Sequence, residues 1–499
     1  MRKAGRLFIL LLALGMGGML YVFAALSNAE SRVTYTETSS YGDVTTADGL
    51  EVLINTQLAR HLLWDSKYSF HKADDKKTGG AKTDFSFSSE PLMWQGEYAG
   101  ESLNMTIASN MSVGMSGGDL LENPSNASEF NYLIKIMRDV ASRTENGEQH
   151  TEAIRFADYY DYFPLNAEYS SHNARYYFLS ESYNIETGHM SQRADEKEIG
   201  EALGSYFKIP VPEDCVVNVT LTKDRAGNVR GFSTEWKDSV WMNSISVETD
   251  SGLYFALMTD GGIDFSGIPG GYGIYLIPAS TITDDKDGDE KPTLDFYNIK
   301  TVYSLSESVA VQALYLSEDE SCLNLIVAED GNLVLKVIDL AAMAEKQSLV
   351  LFEGADGYWQ RELNYLDGLL FILSHDDRFV LARHDSDNIY ELAISGARDV
   401  ELLVEDPLMM GYYTWYTPSI AWNGERLALA TQTMRAVYNS SDDKASYAYD
   451  TCGFVIEVFD KNGLTYKGIY SSSLDVLESE DSSDNICRLA DEDGLSLNW

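Results

Sequence analysis

Asp284-Asp285-Lys286-Asp287-Gly288-Asp289-Glu290 is the densest acidic cluster in the chain. Asp285, Asp287 and Asp289 alternate as the first three ligands of a calcium loop do, and oxygen ligands alone suffice for that hard cation. A full EF-hand loop also needs glycine at position 6 and a bidentate glutamate at position 12. Counted from Asp285, those places hold Glu290 and Phe296. The expectation is a looser calcium loop on Asp285, Asp287 and Asp289, set against a plain solvated loop. Two aromatic runs point to binding: Tyr159-Tyr160-Asp161-Tyr162-Phe163 and Tyr412-Tyr413-Thr414-Trp415-Tyr416. Exposed Tyr and Trp rings dominate binding hot spots, so Tyr412, Tyr413, Trp415 and Tyr416 are candidate ligand contacts. Buried, the same rings serve as apolar packing.

No catalytic signature accompanies these residues, and no catalytic residue is assigned. The histidines form neither HxH nor HExxH, and GxSxG, P-loop and GxGxxG patterns are absent. The glycine-rich stretch Gly267–Gly273 contains Pro269 and opens no strand–helix unit, so a phosphate cradle is not expected there. The four cysteines, Cys215, Cys322, Cys452 and Cys487, have no CxxC spacing, which disfavours a zinc site. Export would permit disulfides. Of the three full pairings, one with a Cys452–Cys487 bond ties the C-terminal tail to the last sheet; buried thiols are the alternative.

The elements that must position these residues begin with an N-terminal segment. Arg2, Lys3 and Arg6 precede an uncharged, proline-free run of 20 residues from Leu7 to Leu26. About 20 apolar residues cross a hydrocarbon core as a helix, and the basic flank holds the N-terminus in the cytoplasm. Ser27-Asn28-Ala29 offers small residues for a signal-peptidase cut, but the length of the run favours a retained signal anchor over residues 1–29. The rest of the chain is then extracytoplasmic. A formal net charge of −41 over 499 residues keeps such a domain soluble and repels nucleic acid.

Residues 30–50 are rich in Ser, Thr, Asp and Gly and read as a spacer. Residues 51–150 read as an N-terminal part with short helices and strands. A helix is expected over 51–64 from Leu50, Leu53, Ile54, Leu58 and Leu62. A second, capped at Ser125 or Asn126, runs to about Ser142 on the stripe Phe130, Leu133, Ile134, Met137, Val140. Further helices are expected over 196–206 and 340–346. From about 151 to 499, β-rich runs alternate with Gly, Asn and Asp turns, the strongest short-range hairpin signal. The hairpins are 216–234, 245–258, 323–338, 363–373, 379–394, 419–430 and 455–470.

Successive hairpins at loose spacings of about 40–60 residues are the pattern of a β-propeller. On Leu323–Ile338, Ser419–Ala430 and Val455–Tyr470, and on the N-terminal segment, residues 151–499 resemble the divergent propeller domains of membrane-tethered, exported bacterial proteins. The fold class expected is all-β, propeller-like, with an N-terminal transmembrane helix and a few short helices; a double β-sandwich is the rival. The chain has no GH…WD, kelch or sialidase Asp-box signature, so the resemblance carries over no site residue. The expected function is a membrane-anchored, extracytoplasmic binding or assembly module that presents its surface to a protein or glycan. It needs no cofactor unless calcium fills the acidic loop. The alternative is a hydrolase, such as a glycosidase, with carboxylates in a propeller channel.

Overall fold

The structure, a computed structural model, describes the whole chain except residues 1, 31–32, 59–61, 71–78, 88–102, 108–110, 115–118, 122–132, 172–174, 179, 184–189, 194–195, 238–240, 260–261, 284–288, 355–359, 367, 375, 399–417, 440–445, 474–487 and 490–494. Three helices accompany the strands among the described residues: α1 (Arg2–Glu30), α2 (Ile134–Arg143) and α3 (Glu196–Tyr206). The strands form seven antiparallel sheets of four or five strands. The chain divides into two compact units. One holds residues 1–97, 360–383 and 392–499; the other holds 98–359 and 384–391. This partition differs from the expected division at residue 150.

The hairpins follow the turn chemistry. Cys322–Glu329 and Asn332–Asp339 pair residue for residue across Asp330 and Gly331, whose φ values are +51° and +75°. Two consecutive left-handed residues make the tight turn whose twist matches the flanking strands, and glycine takes one of them without strain. All seven hairpins expected from the sequence are present, as is α3.

The first unit contains three sheets. Sheet I orders Arg488–Leu489, Glu51–Leu58, Leu62–Phe70 and Gly79–Phe87, with Leu495–Asn498 also paired to Glu51–Leu58. Sheet VI orders Gln360–Leu366, Leu369–Ser374, Arg378–His384 and Tyr390–Ala397, the last of these beginning in the other unit. Sheet VII orders Ser419–Trp422, Leu427–Asn439, Ser446–Asp460, Gly463–Ser472 and Tyr35–Gly42. Both ends of the chain thus close onto distant sequence. Tyr35–Gly42 adds the edge strand of sheet VII, and Leu495–Asn498 pairs with Glu51–Leu58 of sheet I. Beneath them Phe454 and Tyr470 stack with centroids 4.8 Å apart, edged by Tyr68 and Phe70. The Tyr466 and Tyr470 hydroxyls, 2.6 Å apart, both reach Glu37 Oε2.

Two expectations fail here. Residues 51–64 are not a helix: Glu51–Leu58 and Leu62–Phe70 are paired strands. Val52 and Ile54 are buried and Leu53 between them is exposed, a period of two that the scattered leucines masked. Residues 30–50, expected to be a spacer, contain the edge strand and a short 3-10 helix at Val44–Ala47, with Ala47 and Leu50 buried.

The first unit also buries a charged group. Arg398 Nε donates to Glu457 Oε2 at 2.6 Å, and Lys467 Nζ lies 3.1 Å from Glu457 Oε1. All three side chains are at most 3 % exposed. Glu457 and Lys467 face each other across two strands of sheet VII. Arg398 arrives from the end of sheet VI, where its backbone N–H donates to Asp377 O.

The second unit contains four sheets. Sheets II and III interleave in sequence. Sheet II orders Leu103–Ile107, Leu165–Ser171, Met190–Arg193 and Ser180–Tyr183, while sheet III orders Met111–Gly114, Val229–Trp236, Val216–Lys223 and Gln149–Arg155. Sheet IV is built from Met242–Thr249, Gly252–Thr259, Gly273–Thr283, Glu290–Leu294 and Lys300–Ser304. Sheet V runs Ala310–Leu316, Cys322–Glu329, Asn332–Asp339, Ala344–Glu353. The helix expected over 340–346 is replaced by a turn and the start of that last strand. One apolar core spans these sheets together with Ile136, Met137 and Val140 of α2 and Ile199 and Leu203 of α3. Buried Ser244 stitches sheet IV to sheet II, accepting from Met105 N and donating to Leu103 O.

α1 touches the rest of the first unit through Phe23, whose ring lies 5.9 Å from that of Phe85. Leu12, Leu14, Met16, Met19, Leu20, Tyr21, Val22 and Phe23 are exposed along it. Among the described residues, no helix is long and apolar enough to cross a membrane. The expected transmembrane helix is therefore not found.

Candidate functional site: a cationic face on the second helix

Most of the site residues expected from the sequence lie outside the described residues. These are Tyr412, Tyr413, Trp415 and Tyr416, together with Asp285, Asp287 and Cys487. Asp289 is described and exposed, and Cys452 sits in the backbone of Ser446–Asp460. Among the described residues no group of three or more His, Cys, Asp or Glu side chains could hold a metal ion. Cys215 and Cys322 are buried.

The other aromatic run, Tyr159–Phe163, is described, and it divides its rings between core and surface. Phe163 is buried beside Phe156 and Trp236. Tyr160 stacks on Phe156 at 5.0 Å, and burial pushes its phenol up to about 12. Tyr162 is 46 % exposed.

α2 lies beside this run. Its apolar stripe turns Ile136, Met137, Val140 and Ala141 inward, which leaves Lys135 and Arg138 exposed three residues apart on the opposite face. The Lys135 ammonium donates to Tyr159 O at 2.8 Å and sits 5.7 and 5.6 Å from the ring centroids of Tyr159 and Tyr160. A cation over an aromatic face is held by the ring quadrupole, by about 0.5–1 kcal/mol at an exposed site. Arg143 is committed elsewhere, 2.7 Å from both Asp139 and Glu152. The hydroxyl of Tyr159 also donates to Asp139, and with Arg143 it holds that carboxyl below its ordinary range. Lys135 and Arg138 have no carboxylate partner among the described residues.

The C-terminal end of α2 is fastened by the loop between two strands of sheet III. Lys223 Nζ donates to Thr144 O, and Gly147 N to Asp224 O. Burial pushes the Asp224 carboxyl up, but the Asn228 side chain and backbone and the Arg230 guanidinium outweigh it and hold the group at about 2. A carboxyl depressed on folding stabilises the fold above its ordinary value of 3.8 and loses that contribution as pH falls toward about 2. Asp224→Asn is therefore expected to flatten the acid limb of a melting-temperature profile between about pH 4 and 2. An unchanged acid limb would show that this loop does not govern it.

The apolar stripe of α2 dominates its sequence and hides Lys135 and Arg138. Their signal is present at helical spacing: two cations three apart on the polar side of that stripe, in a chain that is strongly acidic overall.

No protein-family model matches the chain, and no curated protein does. Solved structures resemble parts of it. The β-propeller domain of Myceliophteria thermophila Cps50 (Swd1) is 10 % identical over 52 % of this chain and 93 % of its own, with a TM-score of 0.19. A putative 6-phosphogluconolactonase from Bacteroides fragilis is 9 % identical over 76 % of this chain and 95 % of its own, with a TM-score of 0.22. Kluyveromyces lactis Hsv2 is 10 % identical over 60 % and 94 %, with a TM-score of 0.21. The construction of the sheets, not these likenesses, carries the fold assignment. Sheets IV to VII each join four or more successive antiparallel strands by hairpins, the construction of divergent β-propeller blades.

Proposed function

We propose that this chain is a binding or assembly module, exported and attached to the membrane surface, that docks a protein partner. The observation that carries the docking role is the α2 face, where two exposed cations, without carboxylate partners among the described residues, stand on a polyanionic chain. In a chain so rich in carboxylates an unpaired cationic face is complementary to an acidic surface on a partner. Attachment is supported by the row of exposed apolar side chains on α1 behind Arg2, Lys3 and Arg6. A chain left in water with that row uncovered would aggregate.

The test is fractionation of native cells, followed by purification of the tagged full-length protein from the membrane fraction. The expected result is a protein that is recovered in the membrane fraction, is cut by protease added outside the cell, and brings down a stoichiometric protein partner. A protein recovered in the soluble fraction would overturn the attachment. Recovery without any stoichiometric partner would overturn the docking role.

A further inference from the structure

We infer that the α2 face formed by Lys135 and Arg138 binds an acidic peptide segment, one bearing closely spaced Asp or Glu side chains. The inference rests on the docking role proposed above and names the chemistry of the partner. Three observations lead to it. First, one of the two cations is set in position. Lys135 is pinned by Tyr159 O and by the rings of Tyr159 and Tyr160, so little side-chain freedom is lost when a carboxylate arrives. Second, they stand three residues apart on one helix face, which matches the spacing of acidic side chains along a short segment. Third, two carboxylates beside these cations are already occupied. Asp139 is taken by Arg143 and Tyr159, and Glu152 by Arg143, so neither competes for Lys135 or Arg138.

A glycan is the less favoured occupant. The Tyr159 and Tyr160 rings offer a sugar little open face to stack on, since Lys135 sits by both and Phe156 lies against Tyr160. An acidic peptide needs only the two cations.

The experiment is fluorescence anisotropy of labelled decaglutamate with the full-length protein in detergent at about 0.15 M salt, where the chain's own negative field is screened beyond roughly 8 Å. The variants are Lys135→Glu/Arg138→Glu and, as a surface control in the other unit, Lys461→Glu at an exposed hairpin lysine. Should the double reversal fail to fold, Lys135→Gln/Arg138→Gln replaces it. Saturable binding is expected, weakened at least about tenfold by the double variant and less than about twofold by Lys461→Glu. Equal affinity in wild type and double variant overturns the inference, as does the absence of saturable binding. If oligogalacturonate binds the wild type more tightly than decaglutamate and the double variant loses it, the face belongs to a glycan and the peptide assignment falls. A native partner that co-purifies equally with wild type and double variant would sink this site while leaving the docking role intact. No partner with the wild type would sink the docking role itself.

Discussion

Replacing Glu457 by alanine is expected to lower unfolding stability by about 3–5 kcal/mol, the usual cost of removing one partner from a buried ion pair. Glu457 is held by Arg398 at 2.6 Å and Lys467 at 3.1 Å, with all three side chains almost wholly out of water. The alanine leaves two buried cations facing a gap. Most of the cost is therefore an uncompensated charge and not a lost attraction. A companion variant separates the two. Arg398→Met/Glu457→Leu/Lys467→Met removes every charge while roughly keeping volume, and is expected to lie much closer to wild type than Glu457→Ala does. Urea denaturation with matched m-values is the measurement. If the triple variant proved as unstable as Glu457→Ala, the charges themselves would be contributing the stability and this account would be wrong.

The second large effect concerns the chain ends. Deleting residues 495–499 is expected to abolish cooperative unfolding of the first unit. Leu495–Asn498 pairs with Glu51–Leu58, Leu495 is buried in the core beneath, and Trp499 Nε1 donates to Asp48 O. Without that strand, Val52 and Ile54 keep their apolar contacts on one side only, and the backbone of Glu51–Ile54 becomes an unpaired edge. Soluble yield and the sharpness of the thermal transition report the outcome. A truncated protein that melts as sharply and as hot as the full chain would show that closure is not required.

The parts of the fold legible in the sequence are those written in local chemistry. Asp330-Gly331, Asn423-Gly424 and Asn462-Gly463 each name a turn, and hairpins formed at all of them. What was not legible depends on residues far apart. Glu457 looks like an outward strand position until Arg398, 59 residues earlier, is brought against it. The exchange of strands between sheets II and III leaves no local mark: Leu103–Ile107 and Met111–Gly114 follow closely in sequence and yet join different sheets. The candidate site shows the same division. The sequence singled out Tyr159–Phe163 for its composition, but which rings stay at the surface is set by α2 and Phe156 packing on them. The Tyr412–Tyr416 run and the paired Asp285 and Asp287 lie outside the described residues.

The edge strand Tyr35–Gly42 also orders events in time. Thr38 bonds to a carbonyl 431 residues further along the chain. At about 5–20 residues per second of synthesis, that strand leaves the ribosome roughly 20–90 s before its partner exists. For this interval its hydrogen-bonding edge is open while the intervening sheets assemble. The first part of the domain to be made is among the last to be secured, and any chaperone that guards this chain has its longest task there.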